Sequence, residues 1–364
     1  VQISNVVVTV APFSSGTWLD ESRVSTPMSR YPEFAERRSS WRGPGSDLVW
    51  VLVEADGGEV FGVGQSRGGA VTAALIEHHF RDLLLGRDPL ELETRVEQLR
   101  RAALPYAAGG VLAMALSACE LALWDLRARA AGVPLVTELG GNVHPLEHYL
   151  TCPAPELLDG IDAGLVATSA TVKVPMQYGP ADGPAGLRAN LARLDDTRER
   201  VPDAVPLSVD CFMSWDLDYA TAFLREAGDH SLGWIEEPLL PDDLAGYAEL
   251  RRRQPVPVAG GEHLFGLTEA ERFLDADCVD VVQVDVTWCG GIGVARAVAA
   301  LAAERGVTFA PHGAAMHAWA VHLLVSPGVE GLTEILVGLG GPAAVPSVGA
   351  GPGVGIDPRA VGLR

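Results

Sequence analysis

Cysteine is scarce in this sequence: five in 364 residues, Cys119, Cys152, Cys211, Cys278 and Cys289, with no CxxC pair among them. An odd count without that spacing excludes a disulfide framework and a thiolate zinc site, and points to packing thiols in a reducing, cytoplasmic compartment. Positive charge is also scarce. Lys and Arg number 27 against 47 Asp and Glu, a formal net charge of −20. That excludes a nucleic-acid or anionic-membrane partner, because both select basic faces. It still allows a small anionic substrate, provided that a metal or well-placed Lys and Arg supply positive charge locally. No apolar run approaches the roughly 20 residues needed to span a bilayer. The opening "VQISNVVVTVAPF" lacks the basic leader and apolar core of a signal peptide. Phosphate loops are missing too: no GxxxxGKS/T occurs, and "GGIG" at 290–293 falls short of GxGxxG.

What is there is apolar: 48% of residues are hydrophobic and 20% charged, enough for a large core and incompatible with disorder. The length suits one large barrel plus a smaller domain, or two to three ordinary domains. The first 65 residues read as an antiparallel β element, "ISNVVVTV" and then "LVWVLVEADGGEVFGVGQ" folded at Asp56-Gly57-Gly58. Between them, residues 13–46 are polar and carry Trp18, Tyr31, Trp41 and several arginines, the composition of a lid rather than a slack linker. Residues 70–132 read as helices. "LIEHHFRDLLL" and "LELETRVEQLRRAAL" space their apolar residues by three and four. "LAMALSACELALWDLRARAAG" is apolar over most of its surface and therefore buried, with Gly132 as its cap.

From about residue 145 the texture changes. Eight short apolar runs, "LEHYLTC", "SATVKVP", "VPLSVD", "LGWIEE", "PVPVAGGEH", "VDVVQVD", "VTFAPHG" and "VEGLTEIL", are each followed by polar or helical sequence. Eight strand–helix units predict an α/β fold, a closed parallel (β/α)8 barrel of TIM type over 133–339. Residues 1–132 form a separate α+β unit, and the Gly/Pro-rich tail 340–364 returns across it.

In such barrels chemistry sits at the C-terminal ends of the strands. Those ends are Lys173, Asp210, Glu236, Glu262, Asp285, His312 and Glu334, and from Asp210 onward the steps are 26, 26, 23, 27 and 22 residues. Polar groups that recur once per βα unit face one cavity, a periodicity that a solvated rim does not need. Charge at the end of an apolar strand such as "SLGWIEEP" is costly unless compensated. Asp210, Glu236 and Glu262 are hard oxygen donors without Cys or His among them, the set that suits Mg2+. Glu237 either backs the ligands or is ion-paired. Asp285 precedes His312 by one strand, where a carboxylate would fix the imidazole tautomer and raise its basicity for proton transfer. His263 either reaches substrate or supports Glu262. His317 and His322, five apart, do not share a helical face.

These blocks, "VD" at Asp210, "WIEEP" at Glu236, "GGEH" at Glu262, "QVDVTWCGG" at Asp285 and "APHG" at His312, with "ALWDL" at 122–126 and "ELGG" at 138–141, resemble the mandelate racemase-like branch of the enolase superfamily. "STPMSRY" at 25–31, "KVPMQYGPADG" at 173–183, "VDCFMSWDLDYAT" at 209–221 and "DVTWCGG" at 285–291 resemble the L-rhamnonate dehydratases within it. The resemblance spans nearly the whole chain. It implies that the α+β unit caps the barrel, that Asp210, Glu236 and Glu262 hold Mg2+, and that Asp285 and His312 form a dyad. It implies that Glu334 stabilises the transition state or contacts substrate, that residues 13–46 set specificity, and that the chain forms a homo-oligomer, a dimer or an octamer. Two departures matter. Arg23 stands where those enzymes carry a histidine, although Arg38 falls at their substrate-binding arginine. The string Lys173-Val174-Pro175 lacks the second base of a Lys-x-Lys pair, which disfavours racemisation.

The resulting expectation is an acid sugar dehydratase, a hydro-lyase. Mg2+ and Lys173 stabilise the charge that develops when His312 takes the C2 proton of an aldonate; the C3 hydroxyl then leaves, giving a 2-keto-3-deoxy acid. Arg23 and Arg38 either close over the substrate or form lid salt bridges. The alternatives are a racemase, epimerase or cycloisomerase of a carboxylate, and a non-catalytic sugar-acid-binding barrel.

Overall fold

A computed structural model describes residues 1–13, 23–34, 46–228, 230–338 and 343–363. Three strands, β1 (Ile3–Ala11), β2 (Leu48–Ala55) and β3 (Val60–Ser66), form an antiparallel sheet in that order. The β2–β3 register runs from Val49↔Ser66 to Ala55↔Val60 around the expected turn, where Asp56 and Gly57 take φ of 50° and 74°. Helix α1 (Gly69–Leu75) leads through a π turn (Ile76–Phe80) into α2 (Arg81–Leu84). Then come α3 (Leu92–Ala103), α4 (Val111–Ala130) and the short α5 (Leu135–Glu138).

Helix α4 is buried on most of its faces, as its all-round apolar sequence requires. Its contact with β3 is backbone on backbone. A Cβ at Gly62 would lie 2.0 Å from the Ala122 carbonyl, and one at Gly64 would lie 1.9 Å from the Ala118 carbonyl. Asp125 of α4 accepts the Val63 amide at 2.8 Å and the Val354 amide at 2.7 Å, so it ties the sheet to the C-terminal tail. The tail is fixed further by Gly353, which exchanges hydrogen bonds with Val133 and Leu135, and by Leu363 against Leu52 and Val63.

The second unit is an eight-stranded parallel sheet. Its strands are β4 (His148–Thr151), β5 (Val172–Pro175), β6 (Leu207–Asp210), β7 (Leu232–Glu236), β8 (Val258–Gly260), β9 (Val281–Val282), β10 (Thr308–Phe309) and β11 (Thr333–Leu336). Each falls within one of the eight apolar runs of the sequence. The order is β10-β9-β8-β7-β6-β5-β4-β11, and a parallel bridge between Phe309 and Gly331 with a 3.0 Å bond from the Leu332 amide to the Phe309 carbonyl joins the two edges. The sheet therefore closes as a (β/α)8 barrel. Its helices include α6 (Ala163–Ala167), α7 (Gly183–Arg198), α8 (Leu217–Glu226), α9 (Leu244–Arg253), α10 (Leu267–Asp275), α11 (Ile292–Arg305) and α12 (Ala318–Leu324). Tyr149, Trp234, Ala259, Val281 and Ala310 with Leu332 make an apolar floor inside it.

Among the described residues no helix is long and apolar enough to cross a membrane. All five cysteines are buried thiols.

Gly64→Ala tests the backbone contact of α4 with β3. It should lower the denaturant-derived stability by about 1–3 kcal/mol or more, because neither backbone can yield. An unchanged urea midpoint would mean that the two layers separate more easily than this packing allows.

Candidate active site

Strand alternation carries the inward positions upward from the apolar floor. Thr151 lies two residues beyond Tyr149, Glu236 two beyond Trp234, Gln283 two beyond Val281, His312 two beyond Ala310 and Glu334 two beyond Leu332. Asp210 and Glu236 are register partners, as are Thr151 and Lys173. Glu262 follows Gly261, whose φ of 121° is one that side chains rarely adopt, and the turn there brings Glu262 against His312.

Lys173 is the hub. It is 1% exposed, and its ammonium contacts a Glu236 oxygen while lying 3.0 Å from Glu334 Oε1 and 3.7 Å from Asp210 Oδ2. The other Glu236 oxygen accepts from Gln283 Nε2 at 2.6 Å and Trp234 Nε1 at 3.0 Å. Glu334 accepts from Thr151 Oγ1 at 2.5 Å and from the Gly313 amide at 2.6 Å. One ammonium does not neutralise this many carboxylates. Burial pushes Asp210 up to about 6 and Glu236 up to about 7; Lys173 opposes the rise and the neighbouring carboxylates add to it. Burial likewise pushes Glu262 up to about 7 against the pull of His312. Glu334 is held down at about 2, because Lys173 and His312 outweigh its burial.

His312 Nδ1 donates to Asp285 Oδ2 at 2.8 Å, and its Nε2 lies 3.2 Å from Glu262 Oε2. Asp285 Oδ1 accepts from the Thr287 amide at 2.6 Å and the Thr287 hydroxyl at 2.7 Å. Burial works against the charge on Asp285, but His317, His312 and Thr287 outweigh it and hold the carboxyl at about 2. Burial also works against the His312 imidazolium; Glu262 and Asp285 outweigh it and raise the ring to about 10. The Trp288 indole packs on His312 with centroids 5.1 Å apart.

Glu237 points elsewhere. At φ 40° it accepts from His263 Nδ1 at 2.9 Å and 3.1 Å. Ligand atoms of Glu237, Glu262 and His263 lie within 4.8 Å of one another. Glu237 outweighs burial, however, and raises His263 to about 9. With Nδ1 turned to the Glu237 carboxylate at 2.9 Å, Glu237 and His263 form an ion pair. Arg23 donates to the Gln177 carbonyl at 3.2 Å and to Asp182 at 2.5 Å, with its guanidinium 4.5 Å from the Tyr178 ring centroid. It fastens residues 23–34 to the loop after β5. Arg38 lies outside the described residues, as does most of the segment expected to be a lid.

The strand-end periodicity misses several residues that hold the site together. Thr151 and Gln283 stand at the same level as Glu236 but are neutral, and Trp234 lies one level deeper, in the floor. Thr287 belongs to the turn after β9. His317 has no sequence signal at all: only the tertiary fold brings its Nε2 to 3.7 Å from Asp285 Oδ2. His322 accepts the Val136 amide at 2.9 Å and is structural. One signal was available, since Lys173 is the only lysine in the chain.

Replacing that lysine should be felt as charge. With Lys173→Met, Glu236 and Glu334 face each other uncompensated, and stability in EDTA at pH 7.5 should fall by about 3–5 kcal/mol. Glu334 has a depressed folded value, so the stability its charge contributes is present above the ordinary carboxylate range and lost as pH falls toward about 2. Without Lys173 that contribution disappears and both carboxyls rise. The deficit should therefore shrink as pH drops below about 7, where Glu236 begins to protonate. Urea melts at pH 7.5 and 5.5 check this; an equal deficit at both would mean that Lys173 acts through packing.

Residues 165–360 match the enolase C-terminal domain-like family, and residues 44–140 match the mandelate racemase/muconate lactonizing enzyme N-terminal domain. The chain is 37% identical over 316 residues to a protein of Caldivirga maquilingensis provisionally named as an L-rhamnonate dehydratase, covering 86% of this chain and 77% of that one. Rhamnonate dehydratase from Gibberella zeae, solved in complex with Mg, has a TM-score of 0.85 and 28% identity over 100% of this chain and 95% of its own. L-talarate/galactarate dehydratase from Salmonella typhimurium has a TM-score of 0.72 and 26% identity over 90% of this chain and 80% of its own. A mutant L-talarate/galactarate dehydratase has been solved with Mg and L-glucarate. With both halves of the chain matched and the barrel carrying its polar ring at the strand ends, this protein belongs to the mandelate racemase/muconate lactonizing enzyme family of the enolase superfamily.

Proposed function

We propose that this enzyme is an Mg2+-dependent acid sugar dehydratase, which converts an aldonate to a 2-keto-3-deoxy acid and water. The observation that carries the reading is the His312 imidazole, tied to Asp285 at 2.8 Å, beside a buried ring of carboxylates that one ammonium leaves short of positive charge. The dehydratase names of its relatives and the magnesium and L-glucarate of the solved talarate/galactarate mutant support it.

Asp210, Glu236 and Glu262 fit a hard dication by the chemistry of their donor set. They offer oxygen only, on three consecutive strand ends, and burial makes their uncompensated charge costly. When bound, Mg2+ supplies Lewis acidity to a substrate carboxylate, which makes the adjacent C–H bond more acidic. The chain's residues do the rest. Glu262 is the largest support of the His312 imidazolium, and as a ligand of the ion it would no longer hold that proton on the ring. His312 Nε2 takes the proton from C2, and the electron pair of that bond moves toward the carboxylate. Lys173 meets the charge that develops there. The pair then forms the C2–C3 double bond as the C3–O bond breaks, and His312 returns its proton to the leaving oxygen, releasing water. The enol tautomerises to the ketone. Asp285 keeps the imidazole in the tautomer this needs. Pro175, two residues beyond Lys173, has no proton to exchange, so the base is single and elimination is syn.

The test is a panel of C5 and C6 aldonates and deoxyaldonates, L-rhamnonate among them, with Mg2+ and semicarbazide detection of 2-keto-3-deoxy acids. Any substrate found should lose at least about 10²–10⁴-fold in kcat with His312→Asn. Retained turnover in that variant would move the base elsewhere, and C2 deuterium exchange without elimination would favour an epimerase. Calorimetry adds a check that needs no substrate: Glu262→Gln should abolish Mg2+ binding that the unaltered protein shows.

A further inference from the structure

Gln65 and Ser66 end β3 in the N-terminal layer and Arg67 follows them, yet all three side chains reach residues of the barrel. Gln65 Oε1 pairs with His317 Nδ1 at 3.2 Å, and His317 Nε2 lies 3.7 Å from Asp285 Oδ2. Ser66 Oγ donates to the Thr287 carbonyl at 2.6 Å, and Thr287 donates twice to Asp285 Oδ1. Oδ1 of Asp285 is therefore hydrogen-bonded through Thr287 back to β3, and Oδ2 is approached at 3.7 Å by a ring that Gln65 contacts. Arg67 lies with its guanidinium 5.9 Å from the centroid of Trp288, the ring that packs on His312. The same connection is held farther on by α4: Ser117 Oγ accepts the Gly290 amide, and Glu120 accepts the Ile292 and Gly293 amides, all at 2.8 Å. Gln65, Ser66, Ser117, Glu120, Thr287 and His317 are all buried.

We propose that Gln65 and Ser66 are positioning residues for the His312 base: Ser66 holds Asp285 Oδ1 through the two Thr287 donors, and Gln65 sets the His317 ring that packs 3.7 Å from Oδ2. With the His317 proton on Nε2, toward the carboxylate 3.7 Å away, Nδ1 is an acceptor, and the Gln65 amide serves it by turning its NH2 group to that nitrogen. Ser66 fixes the Thr287 peptide, and with it the two donors on Oδ1. The N-terminal layer thus does more than cover the barrel: it sets the orientation of the base. The role of His312 as base rests on the dehydratase reading; the path from β3 to Asp285 does not.

The test uses the magnesium-loaded full chain without substrate. Downfield proton NMR with 15N-labelled histidine reads the His312 Nδ1–H···Asp285 hydrogen bond, assigned by its loss in His312→Asn. In Ser66→Ala and in Gln65→Leu the signal should shift upfield or broaden, with Mg2+ affinity unchanged, and Ser66→Thr should restore it. With any acid sugar that is turned over, kcat should fall about 10–100-fold at unchanged KM. An unshifted signal in both folded variants overturns the proposal, as does absence of the signal from the unaltered protein. A wrong dehydratase reading shows instead as no turnover by the unaltered protein, and leaves the NMR result to be read alone.

Discussion

The burial of several carboxylates around one ammonium is the constraint on which the rest of the structure depends. Asp210, Glu236, Glu262 and Glu334 stand at the mouth of an apolar barrel, where an unpaired charge is expensive. Lys173 is the one lysine among 27 basic side chains. Its compact ammonium reaches Asp210, Glu236 and Glu334 at once, which a planar guanidinium would do poorly in the same space. It satisfies part of the ring and leaves Asp210, Glu236 and Glu262 raised toward neutrality. The remaining demand for positive charge is what makes a dication the natural ligand of these strand ends.

The two layers solve different parts of this problem. The barrel supplies height and phase: parallel register puts Asp210 beside Glu236 and Thr151 beside Lys173. The N-terminal sheet supplies rigidity from above. Gly62 and Gly64 let α4 lie directly on β3, and Asp125 in α4 secures the returning tail. That stiff assembly grips the connection after β9, which carries Asp285, Thr287 and Trp288. The Asp285–His312 pair is thus carried by the barrel, and the turn that follows Asp285 is bonded to the N-terminal layer.

The barrel was legible in the sequence because its signals are local and repeated. Each strand is a short apolar run, and the functional side chain recurs once per βα unit. The same reasoning placed Lys173, Glu236, Glu262, Asp285, His312 and Glu334 around one mouth. It left Glu237 and His263 undecided; the structure pairs them, because the positive φ of Glu237 turns its carboxylate to the imidazole. It could not foresee Gln283, a neutral residue that a search for charged strand ends passes over, nor His317, whose approach to Asp285 joins the turn after β10 to the N-terminal layer. Arg23 was read as closing over the substrate or as a lid salt bridge; here it pairs with Asp182, a contact between segments 159 residues apart that no local pattern encodes.

The most direct test of the account is where a divalent ion sits. Anomalous diffraction from a crystal soaked in Mn2+ as a stand-in for Mg2+ should show one peak, with an oxygen each from Asp210, Glu236 and Glu262 at roughly 2.0–2.3 Å. A peak held by Glu237 and His263 instead, or no peak among these strand ends, would contradict it.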